Sequence, residues 1–443
     1  MTLSLVDLEA CFEGVVPSIV ATADGNGVPN ISYLSHVAMV DDEHVALSNQ
    51  FFGKTSANIR MNPRATLIVV DARDGAQYRL ELTFAYSLDA GPLFEHLSLQ
   101  LDASSAQVGM AGVMRLRALD VFRVIRIEAV RTTIDPEQKA SPRRDRLTAV
   151  ARVVELIAAA TEAEGIVDAT LNGLKTWLGF EHGLFLELYE ERRQLVTIGS
   201  IGYAFSGIGS EVEMGDGIIG AAAASGSIVK VSDMSRIRRF NAAVRDSSSD
   251  ENRTRSIGLP GMPDAMSQIA VPLAIANEVR GALFLESRAR LAFTREDEAA
   301  LSIIARHAAQ ALSLSERTFE EAESERRAPF SPATDRGIHV AHHRFDDSVF
   351  IDGTYVIKGV AGRLLAWMLE QHLANGRNEF TNREIRLDSG LRLPDFKDNL
   401  ETRLLLLRRR LEEKLLPIRL LRIGRGRIGL EVEGRAGLTR EGV

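Results

Sequence analysis

Cysteine is almost absent: Cys11 is the single thiol in 443 residues. That excludes intrachain disulfides, CxxC redox pairs and thiolate zinc sites, and it fits a reducing compartment. No apolar run reaches the roughly eighteen residues that a membrane helix needs, and no basic stretch followed by an apolar core opens the chain. A cytoplasmic protein with no membrane partner is expected. P-loop, GxSxG and HExxH patterns are all missing, so hydrolysis and phosphoryl transfer have no residue set. No catalytic or metal-ligating residue is assigned.

The chain is too long for one core, and about two to four domains are expected. A net charge of −7 argues against a protein that coats nucleic acid along its length. The charge is unevenly spread, however. Residues 340–435 hold eighteen Lys and Arg against fourteen Asp and Glu, which leaves the remainder at −11. A basic module on an acidic body is the pattern of a regulator with one DNA-binding end.

That basic module centres on Pro394 to Val432. Phe396, Leu400, Leu404, Leu407, Leu411 and Leu415 recur at intervals of three and four, which gathers them on one face of a helix. Pro394 suits the first turn, and Asp395 and Asp398 suit its positive end. Lys397, Arg403, Arg408, Arg409 and Arg410 are expected to project from the flanks and far side, with Leu405 and Leu406 also outward. Pro417 stops the helix. Strands Ile418–Ile423 and Ile428–Val432 follow, joined by Gly424-Arg425-Gly426-Arg427. A basic helix with an arginine-tipped hairpin is how a winged helix grips duplex DNA. The expected contacts are Lys397, Asn399, Thr402, Arg403, Arg409 and Arg410 on the helix, with Arg425 and Arg427 on the wing.

The order of elements resembles the effector domain of OmpR-type response regulators. It includes strands His343–Phe345, Phe350–Ile351 and Tyr355–Ile357, a helix over Gly362–His372, and the Phe380-Thr381-Asn382-Arg383-Glu384 start of another. Asp388–Leu393 replaces the family's usual loop, and the wing lacks its aromatic.

Residues 1–131 alternate in the manner of a small barrel. Strands are expected at Ser18–Ala23, Asn30–Val40, His44–Ser48, Ala65–Asp71, Tyr78–Leu88 and Val121–Arg131. Helices are expected at Phe51–Met61 and Gly91–Leu101. The run Leu47-Ser48-Asn49-Gln50-Phe51-Phe52-Gly53-Lys54-Thr55, closing on Asn62-Pro63, resembles the FMN-binding split barrel of pyridoxamine phosphate oxidase-like proteins. The resemblance implies an FMN phosphate held by Lys54 and Thr55, with Ser48 and Asn49 near the ring or ribityl chain. A phosphate wants a cation and hydroxyl or amide donors, preferably at a helix start. Ser35 and His36, on the preceding strand, are candidates for the same site. The oxidases' substrate-binding Arg and His motifs are missing, so pyridoxamine phosphate oxidation is not expected. Haem, with His36 or His96 as ligand, and the deazaflavin F420 are alternative occupants in the family.

Residues 132–146 read as a linker, 147–328 as an α+β sensor domain with a long exit helix, 329–342 as a second linker, and 343–435 as the winged helix. Gly215–Gly220 matches GxGxxG. The preceding Gly209–Met214 is too polar for a dinucleotide-binding strand. Together with Ser232-Asp233, Ser267–Leu273 and Gly281–Glu286, it resembles a GAF domain, a class that binds small ligands or dimerises. Residues 235–265 read as a polar loop. The exit helix, from about Arg295 to Arg327, turns charge-dense in its second half and implies a partner helix in a homodimer.

The composite expectation is a multi-domain α+β protein: split β-barrel, GAF sensor domain, C-terminal winged helix. It would act as a ligand- or redox-sensing transcriptional regulator, with double-stranded DNA and a small-molecule ligand of the GAF domain as the expected partners. The other classes are a flavin-dependent oxidoreductase with regulatory appendages and a pure interaction scaffold.

Overall fold

The computed structural model describes residues 3–34, 36–49, 53–107, 116–130, 146–235, 255–318, 337–391, 393, 400–424 and 426–441. The first unit holds β1 Ser18–Ala23, β2 Pro29–Leu34, β3 Val37–Met39, β4 His44–Asn49, α1 Gly53–Met61, β5 Arg64–Val70, β6 Gln77–Leu88, α2 Pro92–Gln107 and β7 Ala118–Val130. Its seven strands pair in the order β2-β1-β5-β6-β7-β4-β3, every pair antiparallel. Alternating burial builds the core from Val20, Val45, Leu47, Leu67, Val69, Leu80 and Phe122. A short 3-10 helix, Val6–Phe12, adds Leu8 and Cys11.

The expected single strand Asn30–Val40 is two strands, at opposite ends of the sheet order. Leu34 and Val37 are both buried although three residues apart. A period-two strand cannot place such a pair on one face, so the chain must leave one sheet end for the other between them.

The second unit comprises α3 Arg146–Ala159, α4 Ala163–Gly173, β8 His182–Tyr189, β9 Gln194–Ile201, β10 Glu211–Glu213, α5 Gly217–Ser225, β11 Val229–Val231, β12 Ser267–Ile275, β13 Glu278–Ser287 and α6 Arg295–Thr318. The sheet order is β10-β9-β8-β13-β12-β11. Helices α3, α4 and α6 cover one face and α5 the other, so the central strands are apolar on both sides. β10 is an antiparallel edge strand, which agrees with rejecting a dinucleotide site at Gly215–Gly220. The described part of the exit helix, α6, packs on α3 of its own chain. Its charge-dense second half lies mostly outside the described residues, as does 236–254 of the expected polar loop.

The third unit adds β14 Gly337–His343, β15 Ser348–Ile351, β16 Thr354–Ile357, α7 Gly359–Asn375, β17 Glu379–Thr381, α8 Asn382–Leu387, α9 Leu400–Glu413, β18 Ile418–Gly424, β19 Arg427–Val432 and β20 Arg435–Glu441. Four strands form one sheet, β16-β15-β14-β20, and three form another, β17-β19-β18. β14 begins inside the expected linker, and its parallel partner β20 runs beyond the expected domain end. Thr381 caps α8 in a reciprocal capping box with Glu384. α9 ends at Glu413, a turn earlier than expected, so Leu415 lies outside the helix with a positive φ and is 90% exposed. One continuous apolar core runs from α3, α4 and α6 through α9 into this unit. No helix among the described residues is long and apolar enough to cross a membrane.

Candidate functional site

In the barrel, the first turn of α1 lies where the two ends of the sheet approach each other. Thr55 turns toward β2. Its Oγ1 accepts from Asn30 Nδ2 at 2.9 Å and shares a 2.8 Å hydrogen bond with Ser32 Oγ. The next residue, Ser56, turns toward β4 and accepts from Asn49 Nδ2 at 3.1 Å. Asn49 also donates to Asp120 Oδ2 at 3.0 Å, and Ser87 donates to Asp120 Oδ1 at 2.6 Å. Consecutive side chains of one helix thus tie two strands together, leaving Lys54 exposed at the helix start.

The expected cofactor residues therefore gather in one place but differ in availability. Lys54 presents a free-standing cation to solvent. Thr55 is 2% exposed and engaged by Asn30 and Ser32, so it supports the site from behind instead of facing a ligand. Ser48 is buried, and its hydroxyl accepts the His36 amide at 3.2 Å. The His36 ring packs on Gly14: a Cβ there would sit 2.8 Å from Nε2, so a side chain at 14 is excluded, and φ of +68° favours glycine as well. Burial pushes the His36 pKa down, and its Nδ1 has no hydrogen-bond partner among the described residues. Ser35 lies outside the described residues. Asn30 and Ser32 escaped the sequence reading, although their period-two spacing places both on one face of β2.

The barrel meets the second unit through a buried ionic node, beside the packing of α2 on α5 and β11. Lys230 Nζ of β11 lies 2.7 Å from Glu13 Oε2 and 2.6 Å from Glu298 Oε1 at the start of α6, and it donates to Phe293 O at 3.2 Å. Burial alone would lower the Lys230 pKa, but Glu13 and Glu298 outweigh it and hold the ammonium above its ordinary value. Ser232 donates to the same Glu13 oxygen at 2.6 Å.

The C-terminal arginines are placed differently from expectation. Arg410 is 1% exposed; its Nε donates to Val356 O at 2.9 Å and it pairs with Glu413 at 3.0 Å. Arg403 is buried with its guanidinium over the Tyr189 ring, and Thr402 is fully buried. None of these three presents an outward face to a duplex. They are packing residues, because α9 is buried all round over Thr402–Leu407 and again at Arg410 and Leu411. Leu405 and Leu406, expected outward, are buried as well. Leu405 lines a crevice with Ala163 and Glu164, and Leu406 lines another with Tyr189, Val196 and Gly209. Arg427 bonds Glu379 of β17 at 2.8 Å. Lys397, Asn399 and Arg425 lie outside the described residues.

One row of arginines has partners in another unit. Arg409 donates to Asp168 Oδ1 at 2.6 Å and to Ile198 O at 2.7 Å. Arg408 pairs with Glu164, and Arg422 of β18 pairs with Glu162. The acceptors Glu162, Glu164 and Asp168 were not singled out in the sequence. Glu164 and Asp168, four residues apart, share one face of α4, which was a legible signal.

Comparison with known proteins accounts for two of the three units. Residues 7–133 match the family model described as pyridoxamine 5'-phosphate oxidase, and residues 160–313 match the model described as GAF domain. Among solved structures, the H111A variant of HupZ from Group A Streptococcus is 26% identical, covering 27% of this chain and 93% of that one, with a TM-score of 0.22. An FMN-binding protein from Syntrophomonas wolfei is 18% identical, covering 29% and 88%, with a TM-score of 0.25. The GAF domain of an Acinetobacter phosphoenolpyruvate-protein phosphotransferase is 16% identical, covering 43% and 100%, with a TM-score of 0.32. No curated protein matches. The chain thus joins a pyridoxamine phosphate oxidase-like split barrel to a GAF domain, both of them domains of the sensor type.

Proposed function

We propose that the protein is a sensing regulator of transcription in which the barrel and GAF domain control a DNA-binding C-terminal unit. The observation carrying this reading is where the arginine counter-ions lie. Arg410 finds its partners inside its own unit, as a structural arginine should. Arg408, Arg409 and Arg422 instead form a row on α9 and β18 whose carboxylates belong to α4 and its cap. A helix-and-hairpin face whose cations reach across to the carboxylates of a neighbouring domain is built to meet anions. The helix α9 followed by hairpin β18–β19, with Gly424, Gly426 and Arg427 at the turn, supports a winged-helix mode of contact.

The barrel is proposed to hold a flavin of the FMN type. Lys54 and the amide end of α1 fit a phosphate, with Asn30 and Ser32 as the nearest half-buried donors. A bound flavin would supply reversible electron acceptance, and so a redox input. The ionic node at Lys230 gives that input a physical path, since Glu13 adjoins Gly14, on which His36 rests.

The test combines two measurements on the purified chain. Its absorption spectrum should show flavin, and Lys54→Ala should lower occupancy. Selection from a random duplex pool should enrich a defined sequence. A colourless protein that enriches no duplex would reject the reading.

A further inference from the structure

We infer that the acidic row Glu162, Glu164 and Asp168 is an internal stand-in for DNA phosphate, occupying the face that α9 and β18 would offer to a duplex. The inference rests on the regulator reading above and adds how it is switched. Glu164 and Asp168 project from α4 one turn apart, about 6 Å along its axis. Glu162 precedes them at the helix start. Opposite stand Arg422, Arg408 and Arg409, paired with Glu162, Glu164 and Asp168 in that order. Every acceptor here is a carboxylate or a carbonyl oxygen, the chemistry a phosphate backbone would also supply.

The contact is made to be exchangeable. Glu162, Glu164 and Asp168 are 34%, 34% and 50% exposed, and their arginines are 24%, 18% and 15% exposed. Ion pairs in such settings are weak and are screened by salt. Arg408 also reaches Glu412 of its own helix at 3.7 Å, so it keeps a partial partner when α4 leaves. Beside this row Leu405 and Leu406 line the flanking crevices, at the edge of the apolar core that α9 shares with α3, α4 and α6. A duplex would replace the three carboxylates with a denser anionic array and release its own counter-ions. Binding and undocking are therefore linked: whatever holds α4 on α9 lowers apparent DNA affinity by the fraction of molecules that are docked.

The test uses the full chain and a fluorescent random-sequence duplex at low salt. Glu164→Gln with Asp168→Asn removes the charges while keeping shape and hydrogen-bonding atoms, so folding is preserved. This variant should bind about tenfold tighter than wild type, within the usual range of intramolecular coupling. Adding Arg408→Ala and Arg409→Ala to it should abolish the gain. If wild type and the neutralised variant bind equally well, the masking inference is overturned while the regulator reading stands. If neither binds any duplex, the regulator reading falls and takes the inference with it. A gain that survives loss of both arginines would also overturn the inference, because the uncovered surface would then lie elsewhere.

Discussion

The two interfaces made by the GAF domain differ in how they handle charge. Toward the barrel, Lys230 and Glu13 are only 8% and 9% exposed, and the pair is locked by Ser232 and the Phe293 carbonyl. Toward the C-terminal unit, the acids of the arginine row are a third to a half exposed, beside Lys358–Glu211 and Arg255–Asp346, whose acids are 24% and 19% exposed. A buried pair cannot lose one member without stranding a charge, whereas an exposed pair can open into water at little cost. The ionic node is therefore expected to stay closed, whereas the charged row between α4 and α9 is the part that opens, beside an apolar core that the GAF and C-terminal units share.

The sharpest way to break this comparison is Lys230→Met. It leaves Glu13 buried opposite an apolar side chain and should cost about 3–5 kcal/mol in chemical denaturation. A loss below about 1 kcal/mol would place the node among ordinary surface pairs. Next comes a contrast between neighbours on α9. Arg410→Ala removes the partner of Val356 O and Glu413 inside the C-terminal unit and should cost about 2–3 kcal/mol. Arg409→Ala, which uncouples Asp168, the Ile198 carbonyl and the more distant Glu164, should cost about 1 kcal/mol or less. Equal losses would erase the distinction between structural and exchangeable arginines.

The smallest expected effect is on pH. The His36 ring is half-buried and desolvation depresses its pKa, and burial likewise depresses that of His96 on α2. Groups depressed on folding add stability that is full above the unfolded value, about 6.5, and is lost as pH falls through the folded value. Barrel stability should thus decline on acidification from about pH 7 to about pH 5. His36→Gln should flatten the decline, and an unchanged slope would assign it to other groups.

Local structure was legible wherever period and punctuation were strong. The strands at Ser18–Ala23, Tyr78–Leu88 and Ser267–Leu273 alternate or run apolar between clear turns, and all appear close to their expected bounds. The three-residue strands β10 and β17 carry too few residues for any period to show. β20 lay beyond the reading because its alternation is of small and polar residues, Arg435–Glu441. The barrel site was legible as a neighbourhood, since Lys54 and Thr55 do start the helix that closes the sheet. It was not legible which hydroxyls would be consumed internally, because Asn30 and Ser32 arrive from a strand more than twenty residues away. The arginines of α9 show the same limit. Helical periodicity identified one apolar face, but Leu405 and Leu406 belonged to a second, which meets α4 at Leu405 and Tyr189 and Val196 at Leu406.

The most direct test is amide hydrogen exchange of the full chain with and without duplex DNA, read on α4, residues 163–173. DNA should not touch α4, yet it should strip α9 from it, so exchange there should speed up as duplex is added. Protection of α4, or no change while DNA is bound, would contradict the account.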